Sequence, residues 1–393
     1  MNVLYISYDG ILEPLGESQV LQYLLKLSRE HQITLLSFEK PADWFKIDIR
    51  DNLRQRLGRA NLRWVPLKYH KYPLIISTFY DLARGLLVGI FLKIRYGIGI
   101  VHARSYVPAL LALCLKNIFK TKFIFDMRGF WADEKVDAGI WDKGSLIYKI
   151  TKRLERSYLQ RADCIVSLTH AGVDELLKFP YVNKNKTRIE VISTCVNMEL
   201  FKPNFNNRPK TFILGYAGTA TGWYIFEPVP DCFKLLVKIS PGASLNIFNK
   251  DEHPFIRSAL EKRNIPTESY NLKTAEFSQM PFNINTFNAG IFFIKPVFSK
   301  RASSPTKLGE FLACGVPCLT NSGVGDMQKI LQGEGVGVVL SDFSLESEES
   351  AVRQLLMLCS DKDICQRCVN TARKYFSLEE GVGAYNRIYR GQY

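Results

Sequence analysis

The sequence predicts an α/β protein made of two doubly wound, Rossmann-like domains in tandem. Three observations carry this reading. Short apolar runs rich in β-branched residues alternate with longer stretches of helical period, the pattern of parallel strands joined by crossover helices. The alternation is interrupted by a Pro/Asn-rich stretch, Lys202-Pro203-Asn204-Phe205-Asn206-Asn207-Arg208-Pro209, and then begins again. At 393 residues the chain is long enough for two cores of ordinary size. The boundary is expected near 205. This gives domains 1–205 and 206–374, followed by a C-terminal helical segment, 375–393, that packs back on the first domain.

In the first series the expected strands are Val3 to Ser7, Ile33 to Phe38, Ile98 to His102, Lys122 to Asp126, Cys164 to Leu168 and Ile189 to Ile192. Helical patterns lie between them, such as Gln19 to Glu30 and Leu146 to Ala162, the latter with Lys152, Arg153, Arg156 and Arg161 on a wet face. The second series places strands at Thr211 to Tyr216, Ser244 to Phe248, Ala289 to Phe293, Val316 to Thr320 and Gly337 to Leu340. Helices are expected at about 228–240, 254–263, 305–314 and 348–359. Residues 371–393 read as a final amphipathic helix, with Tyr375, Phe376, Tyr385, Ile388 and Tyr389 as its apolar positions. Two such domains leave a cleft between them, and in doubly wound sheets ligands bind outside the carboxyl ends of the strands.

Composition narrows the function classes. With 47% apolar and 23% charged residues the chain reads as soluble and globular. Its net charge of +14 is concentrated in residues 50–122, where 14 Lys and Arg face only Asp51 and Asp81, interleaved with Trp64, Tyr69, Tyr72, Phe79 and Tyr80. A basic surface carrying aromatic residues attracts polyanions or an anionic membrane face; a solvated basic face, or a helix from Leu74 to Ile94 partly packed in the core, gives the same pattern. That stretch is the nearest approach to a membrane span, and Asp81, Arg84 and Lys93 interrupt it. The opening Met1-Asn2-Val3-Leu4-Tyr5-Ile6-Ser7 has neither a cationic leader nor a small-residue cleavage site. A cytoplasmic protein is expected, at most peripheral on the inner face of the plasma membrane. Nine cysteines, many of them in apolar runs, read as reduced core thiols. Cys365-Gln-Arg-Cys368 has zinc-like spacing, but a structural site needs four ligands and the nearest histidine in sequence is His253. No metal or other cofactor is expected. No recognisable DNA- or RNA-binding module supports nucleic acid as a partner.

The most informative segment runs from Ser303-Ser304-Pro305-Thr306-Lys307 through Gly309-Glu310 to Gly315-Val316-Pro317. It reads as an N-cap, a proline at the first helical position, a short helix, a glycine stop and a buried strand. The start of such a helix offers backbone N–H groups and the positive end of its dipole, and Lys307 adds a full charge, so a diphosphate can dock there. Glu310 follows Lys307 by three and shares its face. A carboxylate there can accept two hydrogen bonds from the vicinal diol of a ribose. Diphosphate at the tip and ribose one turn along describe a nucleotide; a capped helix with a surface Lys–Glu pair is the other reading of the same residues.

This segment resembles the donor-site helix of retaining glycosyltransferases of the GT-B fold, family 4 in particular. The resemblance extends along the chain through Ile6-Ser7-Tyr8-Asp9-Gly10 with Pro14-Leu15-Gly16-Glu17-Ser18-Gln19, through Val101-His102-Ala103-Arg104-Ser105, and through Asp126-Met127-Arg128-Gly129-Phe130-Trp131. It implies a nucleotide-diphosphate sugar as donor. Glu310 matches the second of the family's two glutamates, the one that binds the donor ribose. The position of the first, eight residues earlier, is Ala302, flanked by Lys300 and Arg301. The family also tends to place an Arg and a Lys after the first strand of the second domain, where this chain has Ala217-Gly218-Thr219-Ala220-Thr221-Gly222. Gly218 and Thr219 can let backbone amides approach a phosphate. Lys300, Arg301 and Lys307, with Ser304 and Thr306, are then the candidates for holding the diphosphate. In the first domain Gly16 permits close approach to phosphate or sugar. His102 and Arg104 stand where the family carries a His-x-His-like pattern at a strand end, His102 being equally readable as a hydrogen-bonded strand-end histidine. Asp126 and Arg128 are acceptor or phosphate candidates, or a local ion pair.

The resemblance implies metal-independent transfer of a sugar, with retention of configuration, to a hydroxyl of a glycan or lipid-linked acceptor in cell-surface polysaccharide or glycolipid synthesis. His102, Arg104, Lys307 and Glu310 are the residues expected to carry catalysis. A silent nucleotide-binding subunit of the same fold, which the missing first glutamate favours, and a nucleotide-sugar epimerase are the alternatives.

Overall fold

The computed structural model describes residues 1–13, 16–183, 185–204 and 211–392, apart from the side chains of Leu74 and Ile75. Pro14 and Leu15 of the opening landmark, and Phe205 to Pro209 with the expected boundary, lie outside the described residues. The chain forms two compact units, Met1–Ser193 with Leu378–Tyr393, and Thr194–Ser377.

The first unit holds seven parallel strands: β1 (Asn2–Ser7), β2 (Gln32–Glu39), β3 (Arg63–Lys68), β4 (Ile100–Arg104), β5 (Lys122–Asp126), β6 (Cys164–Ser167) and β7 (Ile189–Val191). Their order is β3-β2-β1-β4-β5-β6-β7, so the winding reverses between β1 and β4. At that switch point the register pairs Ser7 with Arg104 and Arg104 with Asp126. The fourth strand ends at Arg104, two residues beyond the expected His102. Val3, Leu4, Ile6, Val101, Ala103, Phe123 and Phe125 are fully shielded, as strands covered on both faces require.

The second unit holds β8 (Ile213–Ala217), β9 (Tyr224–Ile225), β10 (Ser244–Phe248), β11 (Tyr270–Lys273), β12 (Ala289–Ile291), β13 (Phe293–Ile294), β14 (Cys318–Asn321) and β15 (Gly337–Leu340). Six of them form a parallel sheet in the order β11-β10-β8-β12-β14-β15, reversing between β8 and β12. The expected strand Ala289 to Phe293 is split. Its last part turns away to pair antiparallel with β9, matching Ile294 with Tyr224, and so ties the loop after β8 to the segment that follows β12.

Contacts divide the chain at Ser193 rather than near 205, because residues 194–204 already pack in the second unit. The N–H of Thr194 donates to Ser304 Oγ at 3.3 Å, that of Val196 donates to the Phe376 carbonyl at 2.7 Å, and Phe201 is buried in the second core. The expected single helix 371–393 is two helices, Ile364–Phe376 and Leu378–Arg390, separated by the extended Ser377. Phe376 packs in the second core, while Leu378–Arg390 belongs to the first unit and lies against the helix Gln22–Leu27. The segment that returns to the first unit therefore begins at 378, not 375.

Candidate functional site

In the second unit the helix Thr306–Ala313 starts one residue later than expected. Pro305 is its N-cap, without a side-chain cap bond, and Ser304 instead accepts from the backbone of Thr194. Lys307, in the first turn, is 7% exposed, and its Nζ has no hydrogen-bonding partner among the described residues. The ammonium lies 3.6 Å from the centre of the Tyr224 ring, 5.0 Å from Tyr216 and 5.4 Å from Phe292. These rings come from β9, β8 and the residue after β12, so the charge stands at the switch point of the second sheet. Gly218 makes the room. Its φ of +94° suits glycine, and a Cβ there would sit 3.3 Å from the Lys307 amine. Burial pulls the Lys307 pKa down to about 7 against the opposing pull of Glu310 and Glu252, and burial pushes the half-buried Glu310 carboxyl up to about 7 against Lys307. Ring faces partly compensate a cation for lost water, but an anion would complete the site far better.

The loop after β8 is held by Glu252. Its carboxylate accepts from the N–H groups of Ala220 at 2.7 Å and Thr221 at 3.1 Å, from the Thr221 hydroxyl, and from Asn249 Nδ2 at 2.7 Å, and Asn249 also donates to the Gly218 carbonyl at 3.0 Å. Burial opposes the charge on Glu252, yet these donors outweigh it and hold the carboxyl below its ordinary value. Thr219 is exposed, and its carbonyl accepts from the Tyr216 hydroxyl at 2.6 Å. Lys300 and Arg301 lie in the short 3-10 turn Phe298–Ala302. Lys300 is buried with its Nζ 3.8 Å from the Trp223 ring centre, whereas Arg301 is exposed. Ala302 is buried. Lys300, Lys307, Gly218 and Trp223 thus converge around one loop. Sequence reading missed Tyr216, Tyr224, Asn249 and Glu252, which carry no motif.

In the first unit Arg104 is 8% exposed at the end of β4. Its NH1 donates to Asp9 at 2.7 Å, its NH2 donates to Gln19 Oε1 at 2.8 Å, and its Nε is buried without a partner among the described residues. Arg128 donates to the same Gln19 oxygen at 3.0 Å and lies 3.9 Å from Asp126, its backbone strained at φ +60°. Burial opposes the charge of Arg128, but Asp126 raises its pKa; burial likewise works against the Asp126 carboxylate, which Arg128, His102 and Arg104 hold below its ordinary range. Gln19 sits in the π-helical turn Glu17–Leu21, a form of bulge frequent at functional sites.

Two expectations look different in place. His102 is 1% exposed and enclosed by the rings of Tyr5, Tyr385 and Tyr389, with Nδ1 2.7 Å from the Tyr389 hydroxyl and Nε2 3.6 Å from Asp126. Burial lowers its pKa against the opposing pull of Asp126, which disfavours the charged ring. A substrate could reach it only by displacing the C-terminal helix. The strand-end reading fits it, and Asp126, which also accepts from Tyr385 at 3.1 Å, is shielded by the same tyrosines. Gly16 is buried, and the close approach it allows is from its own chain: a Cβ would meet Ile11 Cα at 2.5 Å. Among the described residues there is no cluster of three His, Cys, Asp or Glu side chains suited to a metal.

Residues 18–194 match the model of the glycosyl transferase 4-like domain. No curated protein matches the sequence. Among solved structures, sucrose-phosphate synthase from Thermosynechococcus elongatus is similar at 13% identity and a TM-score of 0.74, over 99% of this chain and 98% of that one. Anabaena HepE in complex with UDP-glucose is similar at 10% identity and a TM-score of 0.70 over all of both chains. The lipopolysaccharide outer core galactosyltransferase WaaB is similar at 11% identity and a TM-score of 0.67, again over all of both chains. The chain has the GT-B fold of two Rossmann-like domains, and the matched domain together with these neighbours supports its reading as a glycosyltransferase.

Proposed function

We propose that the protein is a metal-independent, retaining glycosyltransferase. In this reading it moves a sugar from a nucleotide-diphosphate sugar to a hydroxyl of a glycan or lipid-linked acceptor in cell-surface polysaccharide or glycolipid synthesis. The observation that carries it is the unpartnered Lys307 ammonium, enclosed by aromatic rings behind Gly218 at the switch point of the second sheet. Lys307 binds the diphosphate with the first N–H groups of its helix, Lys300 and Arg301 add charge, and Glu310 accepts from the ribose diol. In the transfer step the bond from the anomeric carbon to the diphosphate oxygen breaks while the acceptor oxygen bonds that carbon on the same face. The acceptor proton passes to the departing phosphate. Charge grows on the diphosphate as the bond lengthens, so the preformed cations stabilise the transition state more than the ground state. Arg104 and Arg128 are the groups of the first unit assigned to the acceptor or its phosphate.

The basic and aromatic segment is assigned to docking on an anionic membrane surface. Among the described residues no helix is long and apolar enough to cross a membrane, but the helix Leu74–Tyr96 exposes Ile76, Phe79, Tyr80, Leu87, Phe91 and Ile94 along one side. An apolar stripe with flanking cations suits a helix lying in the lipid interface. Ala302 favours a second reading, nucleotide binding without transfer. A thermal-shift panel of UDP-, GDP-, ADP- and CDP-sugars, followed by a transfer assay with EDTA and with K307A and E310A, separates the two. The proposal predicts one stabilising nucleotide class and EDTA-resistant transfer lost in both variants; binding without any transfer by the wild type would leave the second reading.

A further inference from the structure

The first unit carries a pocket of about 390 Å³ at the carboxyl ends of β2 and β3 that neither the donor site nor the acceptor residues explain. Its lining includes Trp44, Phe45, Pro66 and Leu67, together with the exposed Lys68 and the half-buried Arg84. Glu39, also in the lining, is already satisfied. It is 2% exposed and accepts from the Ile11 N–H at 3.0 Å, the Leu12 N–H at 3.3 Å and the Ser37 hydroxyl at 2.6 Å. The pocket therefore has an apolar interior with no polar demand of its own. Its surroundings are cationic. Arg50 and Arg54, which share Asp51 at 3.2 and 3.6 Å, lie 5.0 and 5.5 Å from the Trp44 ring centre, and Lys68 and Arg84 are in no ion pair among the described residues. Asp81, the acid nearest in sequence to Arg84, is fully buried and held by His70 at 2.6 Å.

Arg84 joins this pocket to the exposed stripe. It lies four residues after Tyr80 and three before Leu87, so it shares a side of the helix with two residues that are 54% and 69% exposed. Phe45, also in the lining, is 76% exposed. A surface that took up the stripe would bring Arg84, and with it the pocket lining, to the lipid interface.

We infer that this pocket takes one acyl chain of an anionic phospholipid, with Lys68 and Arg84 engaging its phosphate. The inference rests on the membrane-docking reading and deepens it: a chain drawn out of the bilayer seats the unit in one orientation, with the strand ends that carry Arg104 and Arg128 toward lipid-borne acceptors. An apolar interior accounts for the chain, and the unpaired cations account for the sign of the headgroup.

The test uses the full chain with phosphatidylcholine vesicles containing phosphatidylglycerol whose acyl chains are brominated, a quencher that acts on contact with tryptophan. Trp44 emission is obtained as the difference between wild type and W44F. Quenching of that share, absent when bromine is carried only by phosphatidylcholine, is the expected result, and in K68E/R84E vesicle affinity falls by more than about tenfold. L67R, which places a charge within the pocket, should abolish Trp44 quenching while flotation with vesicles persists. Wild-type flotation with Trp44 unquenched would overturn the pocket assignment and leave docking intact. Absence of flotation would remove the docking reading itself, and dodecyl phosphate titrated below micelle formation then tests the pocket alone; failure to perturb Trp44 overturns it. A lipid-free dimer in sedimentation that buries Trp44 would assign the pocket to a second copy and likewise overturn the proposal.

Discussion

Substituting methionine for Lys307 should change how nucleotide affinity depends on pH. The amine is held near a pKa of about 7 by burial, so it is half charged at neutral pH in the free protein. A diphosphate requires the ammonium, and each pH unit above 7 then costs about 1.4 kcal/mol of binding until the pKa of the complex is reached. From pH 7 to 8.5 affinity should fall by about 15-fold on this arithmetic. Glu310, raised to about 7, acts in the opposite sense, since the ribose diol needs the carboxylate and binding weakens as pH drops. Wild type should therefore bind best near neutrality. K307M should bind more weakly throughout and lose the alkaline decline. E310Q should lose the acidic decline, and its alkaline one should begin at lower pH because Glu310 no longer supports the charge on Lys307. Calorimetry in buffers of different ionisation enthalpy reads the same proton directly: at pH 8 nucleotide binding should take up close to one proton in wild type and none in K307M. An alkaline decline that survives in K307M would show that another group titrates on binding and that Lys307 does not carry the pH dependence.

Four further outcomes follow from the same geometry. The folded pKa of Lys307 lies below its ordinary 10.5, so the unfolded chain binds more protons between about 7 and 10.5 and stability rises with pH across that window. K307M, an apolar group of similar length, should accordingly melt several degrees above wild type at pH 6, with the gain shrinking toward pH 10, as differential scanning fluorimetry would read. G218A forces a side chain into a backbone at φ +94° and toward the Lys307 amine, and calorimetry should show nucleotide affinity reduced by about tenfold. Y389F leaves the buried Nδ1 of His102 unpaired and should cost about 1–3 kcal/mol in urea unfolding, and Y385F, which removes the hydrogen bond to Asp126 but leaves its cationic neighbours, should cost less. G16A drives a Cβ into the backbone of Ile11 and should cost more than about 2 kcal/mol in the same assay.

The tandem α/β plan was legible because strands buried on both faces are written as short apolar runs, and Lys122–Asp126, Ser244–Phe248 and Gly337–Leu340 lie where those runs stand. Strand β3 was not visible. Arg63-Trp-Val-Pro-Leu-Lys mixes charge with a proline, which a strand tolerates at a sheet edge, and β3 is an edge. The break at Ser377 was hidden because Phe376 and Leu378 both continue an apolar helical pattern while packing in different units. At the proposed donor site Lys307 and Glu310 could be picked out from one helix. The cage around Lys307 could not, because Tyr216, Tyr224 and Phe292 converge only through sheet topology and the hairpin of β9 with β13. His102 had the reverse fate. Its place at a strand end suggested chemistry, and only the returning C-terminal helix reveals it as enclosed by tyrosines.

In the proposed mechanism one short helix holds a nucleoside diphosphate through Lys307 and Glu310. A crystal structure with the nucleotide selected by the thermal-shift panel would reveal this contact. A phosphate oxygen is expected within about 3 Å of Lys307 Nζ, and the two ribose hydroxyls on the Glu310 carboxylate. Nucleotide bound elsewhere, with the Lys307 amine still enclosed by Tyr216, Tyr224 and Phe292 and Glu310 untouched, would contradict it.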